Sequence, residues 1–110
     1  MATLKKYLPI SLASVLVETG DILDAIRDRI GITETLSIPR EVALRNGLRK
    51  KEYSVTWNRD YQGKDGPRPV FIFLYCENGE QSSSLTWTLP MCIKVHNAIV
   101  ELYNDIVLGK

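Results

Sequence analysis

The stretch YSVTWNRDYQGKDGPRPVFIFLYCENGE, residues 53–80, decides the fold of this chain. Its first six residues alternate between apolar and small polar side chains, the period of two that is typical of a half-buried strand. The segment Val70–Cys76 is apolar on both faces, which indicates a second and more buried strand. We expect a loop at Asp60–Pro69, because glycines and prolines interrupt a regular strand ladder there.

The residues that follow predict a third strand. A turn is expected at Glu77–Glu80, where the Asn-Gly pair favours positive φ, and a strand at about Ser83–Leu89. Three consecutive strands with short connections are most simply an antiparallel meander.

A long amphipathic helix is predicted from Pro90 to about Leu108. Its apolar side chains span an arc of roughly 220° at 100° per residue, about twice the stripe that a surface helix needs. One small sheet cannot cover this arc, so we expect either the N-terminal helices or a second copy of the chain to pack on it. The residues expected at a dimer interface are Val95, Ile99, Val100, Tyr103, Ile106 and Val107.

Upstream of residue 48 the sequence predicts short helices. Isoleucines repeat every four residues in Asp21–Ile30, with Gly31 as a natural end and Thr19 as one candidate cap. Pro39–Asn46 is a second short helix, and Ile10–Val17 weakly favours helix over strand.

The whole chain is therefore expected to form one α+β domain. Residues 1–47 are its helical N-terminal part, and residues 48–110 form a meander of three or four strands followed by the long C-terminal helix. A length of 110 residues with 45% hydrophobic side chains suffices for one core. No apolar run is long enough for a membrane span or a secretory signal.

The cysteine and histidine usage argues against a metal site and against an enzyme. Cys76 and Cys92 are far apart in sequence, and the single His96 cannot complete a usual zinc site with them. We expect free thiols, a cytoplasmic protein and no cofactor. His96 falls within the apolar arc of the last helix, and neither a GxSxG motif nor a phosphate-binding loop is present.

The net charge of +1 hides a segregation, because residues 40–68 contain eight basic and four acidic side chains. Aromatic side chains are interleaved with these cations, a combination that binds single-stranded nucleic acid by phosphate contacts and base stacking. The candidate binding residues are Arg49, Lys50, Lys51, Tyr53, Trp57, Arg59, Tyr61, Lys64 and Arg68. The alternative is that the rings belong to the core, with Trp57 packed near Trp87.

From about Leu48 to Val107 the chain resembles the transcriptional coactivator PC-four family of single-stranded-DNA-binding domains. The matching pieces are LRKKEYSVTWNRDYQGK, PVFIFLYCENGE and SLTWTLPMCIKVHNAIVELYNDIV. The resemblance implies a curved sheet backed by the last helix, a dimer formed by pairing of that helix, and one more strand from upstream of Glu52. The contacts it implies on the concave sheet face are Lys50, Lys51, Tyr53, Trp57, Arg59 and Lys64.

These observations favour a homodimer that binds single-stranded DNA or RNA without sequence preference. One alternative is a winged helix-turn-helix that binds duplex DNA. Arg40, Arg45, Arg49 and Lys50 would lie on or near its recognition helix, and Lys64 and Arg68 on its wing. Another is a protein-interaction domain or inhibitor that docks through Phe71, Phe73 and Tyr75.

Overall fold

The computed structural model describes residues 12–31, 35–63, 66–75 and 79–109, and of residues 13, 59–63, 66–69 and 75 it describes the backbone alone. The elements in chain order are α1 (Leu12–Ile30), β1 (Leu36–Ile38), α2 (Arg40–Arg45), β2 (Tyr53–Gly63), β3 (Gly66–Tyr75), β4 (Gln81–Ser83), a 3₁₀ turn (Ser84–Thr86) and α3 (Leu89–Ile106). The four strands form one antiparallel sheet in the order β1-β2-β3-β4. The predicted α+β class is confirmed, and β1 adds a fourth strand upstream of Glu52. Within the described ranges, no helix has the length and apolar character to cross a bilayer.

The inner face of the sheet is aromatic and buried. Val55 pairs with Phe73 and Trp57 with Phe71, so these side chains point to the same side of the sheet. Phe71, Phe73 and Val55 are fully buried, and they belong to one core with apolar residues of α1 and α3. The Phe73 ring lies 5.2 Å from the Tyr53 ring, centroid to centroid. The sheet face predicted to bind bases is therefore the face that packs against the helices.

The outer face of the sheet has a different composition. The residues between the buried ones on β2 are Ser54, Thr56 and Asn58, and they pair with Leu74, Ile72 and Val70 on β3. Small polar side chains on β2 thus face aliphatic ones on β3, and this set of six contains no aromatic ring and no charge. All except Val70 are at least partly exposed.

The second side of the α3 arc is covered by α1. This helix begins at Leu12, well before the predicted start, and Thr19 is a buried interior residue whose hydroxyl donates to the Val15 carbonyl at 2.7 Å. The helical conformation of residues 12–17 confirms that helix, not strand, forms there. The helix α1 ends as predicted before Gly31, which has a φ of 77°. The longer α1 packs along α3.

This packing corrects part of the predicted dimer interface. Val95, Ile99 and Val100 are at most 1% exposed within the single chain, so they offer no surface to a second copy. Tyr103, Ile106 and Val107 are half-buried, and they are the predicted interface residues that keep some exposure.

The loop predicted at residues 60–69 is strand where the structure describes it, since β2 runs to Gly63 and β3 begins at Gly66. Residues 64–65 lie outside the described residues. β1 pairs with residues 53–55 and β4 with residues 72–74, so β2 and β3 extend beyond both neighbours. We call residues 58–63 and 66–70 the arm. A register shift between Asn58 and Tyr61 places a β-bulge at its base.

Strand geometry explains why prolines are tolerated in the arm. The Phe71 N–H points toward the β4 side, where it donates to Ser84 Oγ at 2.9 Å. Alternate residues of a strand direct their N–H groups to the same side. Pro69 and Pro67 therefore lack an N–H donor only on the edge of β3 that faces away from β2. The ladder between β2 and β3 is therefore left intact.

The predicted third strand is shorter than expected, because serine side chains compete for its backbone. The Ser83 hydroxyl accepts from Leu85 N at 3.2 Å and caps the 3₁₀ turn. Leu85 is 49% exposed while Trp87 is buried, so the expected alternation over Ser83–Leu89 is wrong. The Trp87 indole N–H donates to Ser82 Oγ at 2.9 Å, which holds the ring over the inner face.

The assignment of the two faces predicts unequal effects of neighbouring substitutions. Phe73→Ala should destabilise the protein by about 3–5 kcal/mol, because it removes a fully buried ring from the core. Leu74→Ala, one residue further on the half-exposed outer face, should cost about 1 kcal/mol. Urea denaturation measures both values, and a larger loss for Leu74→Ala would mean that the faces are assigned the wrong way round.

Candidate nucleic-acid interface

The end of α2 leads through a tight turn into the basic residues 49–51. At the end of α2, Leu48 N donates to Ala43 O at 3.0 Å and Gly47 N donates to Leu44 O at 3.2 Å. These two bonds form a Schellman motif, which requires a left-handed residue, and Gly47 has a φ of 84°. The chain therefore turns sharply at a fixed point just before residues 49–51.

Residues Arg49, Lys50 and Lys51 form what we call the basic loop. The Arg49 carbonyl accepts from Lys51 N at 2.7 Å and from the Tyr53 hydroxyl at 3.4 Å. Arg49 and Lys50 are exposed, and Lys51 is half-buried. The loop thus presents cations to solvent from a backbone that is fixed by hydrogen bonds.

Tyr53 has a structural role in this arrangement. Its ring is 1% exposed, so it has no free face on which a base could stack. The expectation of a stacking Tyr53 is corrected for that reason, since the same ring that packs on Phe73 also anchors the basic loop through its hydroxyl.

Trp57 connects β2 to α1. Its indole N–H donates to Asp24 Oδ1 at 2.8 Å, and the Arg27 guanidinium lies 4.3 Å from the centre of the indole ring. Arg27 also donates to Asp24 Oδ1, at 2.5 Å. One carboxylate and one cation–π contact therefore engage this half-buried ring, so a packing role describes Trp57 better than an open stacking platform does.

The arm holds the remaining predicted contacts. Arg59 and Tyr61 lie on β2 and Arg68 on β3, with Tyr61 and Arg68 as cross-strand partners. Lys64 lies outside the described residues. The basic loop lies just before β2, and the cations of the arm begin at Arg59 in the middle of that strand, roughly 20 Å from Tyr53 at the usual rise per residue.

A groove of about 270 Å³ lies at the base of the arm. The residues that line it come from adjoining positions on β2 and β3: Thr56, Trp57, Asn58, Val70 and Ile72. Four of these five belong to the outer face, so the groove opens between the two cationic regions. The sequence does not reveal it, because it depends on the register of two strands.

The contacts of Arg45 bear on the winged-helix alternative. Arg45 donates to Glu101 of α3 through Nε at 3.0 Å and through Nη2. The hydrogen bond to Glu101 raises the pKa of the Arg45 guanidinium. Arg45 is thus engaged in an ion pair with Glu101. The helix α2 that carries it has six residues, which is short for a recognition helix.

Lys94 is a cation near the basic loop that sequence reasoning did not select. It is an exposed residue of α3, and its side-chain Cε lies 3.3 Å from where a β-carbon of Gly47 would stand. It belongs to the polar stripe of the helix, and only the tertiary packing of α3 against the end of α2 brings it to this position.

His96 is a core residue at the contact between α3 and α1. It is fully buried, with Nε2 3.3 Å from Glu18 Oε1 and Nδ1 3.3 Å from Asn97 Oδ1. Cys92 is a buried free thiol. In the part of the chain that the structure describes, no group of three or more His, Cys, Asp or Glu side chains is arranged to hold a metal ion.

Comparison of the chain with family models, curated proteins and solved structures found no match. The resemblance to the PC-four family therefore remains a hypothesis.

The contact between Trp57 and Asp24 predicts energetic coupling between β2 and α1. Trp57→Phe and Asp24→Ala should each destabilise the protein, and a double-mutant cycle should give a coupling energy of about 1 kcal/mol. Asp28→Ala, one helical turn further along α1 on an exposed residue, is the matched control and should show no coupling to Trp57→Phe. Chemical denaturation measures all the variants, and zero coupling for Asp24 would contradict the observed hydrogen bond.

Proposed function

We propose that this protein binds single-stranded nucleic acid without sequence preference, on the outer face of its sheet. The basic loop holds phosphates at one end of β2, and the arm holds them at the other. The observation that carries the proposal is the distribution of charge: the basic loop on one side and Arg59 and Arg68 on the other flank six outer-face residues, none of which is acidic, namely Ser54, Thr56, Asn58, Val70, Ile72 and Leu74. The acidic Asp60 of β2 follows Arg59 and is not one of these six. A polyanion lying along β2 therefore meets cations at both ends and no opposing carboxylate on those residues between them.

The separation of the two cationic regions supports a single strand as the ligand. A span of roughly 20 Å along one strand, from the start of β2 to Arg59, suits an extended backbone, which single-strand binders follow with a cationic track. Tyr53 and Trp57 are engaged in the core and with α1, so phosphate contacts supply most of the affinity in this proposal. Binding of this kind weakens steeply as salt is added.

The proposal describes a binding protein that works inside the cell, where a free Cys92 thiol is the ordinary state. A homodimer through α3 is not required for the path along β2. It remains a separate prediction that rests on Tyr103, Ile106 and Val107.

Fluorescence anisotropy with labelled oligonucleotides at low salt tests the proposal. We expect binding to single strands of thymidine or adenosine in preference to duplex of the same length, with similar affinity for both sequences. A clear preference for duplex would contradict the path along β2, and no binding to any strand at tens of micromolar would overturn the proposal altogether.

The basic loop supplies a substitution test with a matched control. The double variant Arg49→Ala with Lys50→Ala should bind single strands roughly tenfold more weakly, and the slope of log K against log salt should fall by about 1.4, as two phosphate contacts are lost. Arg45→Ala is the control, because this arginine is paired with Glu101; its affinity should be unchanged. A stronger effect from Arg45→Ala than from the loop variant would favour the winged-helix alternative.

A further inference from the structure

We propose that the groove at the base of the arm receives one nucleobase of the bound strand. This inference rests on the proposed function and adds a base-binding subsite to it. The groove is formed by Thr56, Trp57, Asn58, Val70 and Ile72.

The groove has an apolar floor and a polar rim. Val70 is 7% exposed although it lies on the outer face, and Ile72 beside it is half-buried. Thr56 and Asn58 are their cross-strand partners and contribute a hydroxyl and an amide, each of which donates and accepts hydrogen bonds. The combination fits a flat ring with a polar edge.

The charge and the size of the groove restrict the ligand further. Its five lining residues carry no charge, so it does not suit a phosphate or a carboxylate. Its volume of about 270 Å³ is just below the range of roughly 300–1,000 Å³ usual for ligand pockets. It therefore suits one ring of a longer ligand better than a complete larger metabolite.

The neighbouring charges favour a nucleobase over an apolar side chain of a protein partner. Arg59 directly follows Asn58 on β2 and is itself followed by Asp60, and Arg68 precedes Val70 by two residues on β3, so two cations and one acid adjoin the groove along its strands. An uncharged groove with cationic positions on both of its strands matches a nucleotide, which joins a neutral ring to an anionic phosphate. An apolar peptide side chain has no corresponding need for these cations.

The base contribution can be separated from the phosphate contribution with abasic oligonucleotides. We expect a thymidine strand to bind roughly tenfold more tightly than an abasic strand of the same length, as is typical of one base in contact with a protein surface. Ile72→Ala should remove most of this preference, since Ile72 lines the groove. Leu74→Ala, two residues along the same face and outside the groove lining, is the matched control and should retain it. Thermal unfolding followed by circular dichroism verifies that both variants are folded.

The outcomes distinguish this inference from the proposed function. Equal, salt-sensitive binding of thymidine and abasic strands would overturn the base subsite and leave the phosphate-binding proposal standing. Absence of binding to both strands would overturn the two together. Quenching of Trp57 fluorescence by an apolar peptide amide, at concentrations where thymidine gives none, would assign the groove to a protein side chain and overturn the nucleobase assignment.

Discussion

The packing of Phe73 between Tyr53 and Trp87 is the interaction on which the rest of the structure depends. The three rings lie on the inner face of the sheet, with Phe73 5.2 Å from Tyr53 and 4.8 Å from Trp87. Aromatic side chains bury large areas, so this cluster fixes which face of β2 and β3 meets α1 and α3. Strand alternation then places the opposite set of side chains on the outer face.

This constraint also positions the proposed binding surface. Tyr53 is a core ring whose hydroxyl reaches the Arg49 carbonyl, so the basic loop is held by the same residue that fills the core. Trp57, near the middle of β2, contacts α1 through Asp24 and Arg27. Core packing and the placement of the cations are therefore parts of one arrangement along β2, and the outer-face residues between them are small polar on β2, aliphatic on β3 and uncharged.

Much of the fold could be predicted from the sequence, because period and breaker residues act locally. The strands at residues 53–58 and 70–75, the helix α2 before Gly47 and the long helix α3 all follow from such signals. The faces could not be assigned, because alternation in β2 does not say which side the helices will cover. The prolines of the arm led to the prediction of a loop, because the sequence does not show which edge of the strand their missing N–H groups face. The serines at residues 82–84 shortened the predicted third strand, because their hydroxyls bond to partners that only the tertiary structure provides.

The predicted binding residues likewise include some that the structure places as expected and some that it does not. The cations of the basic loop are exposed as expected, while Tyr53 is in the core and Trp57 is engaged by α1. Amide chemical-shift mapping by NMR with a short thymidine oligonucleotide tests the account most directly. We expect shifts concentrated in Arg49–Lys51 and along the outer-face residues Ser54, Thr56 and Asn58, with little change in α1 and α3. Shifts confined to the exposed surfaces of α1 and α3 would contradict it.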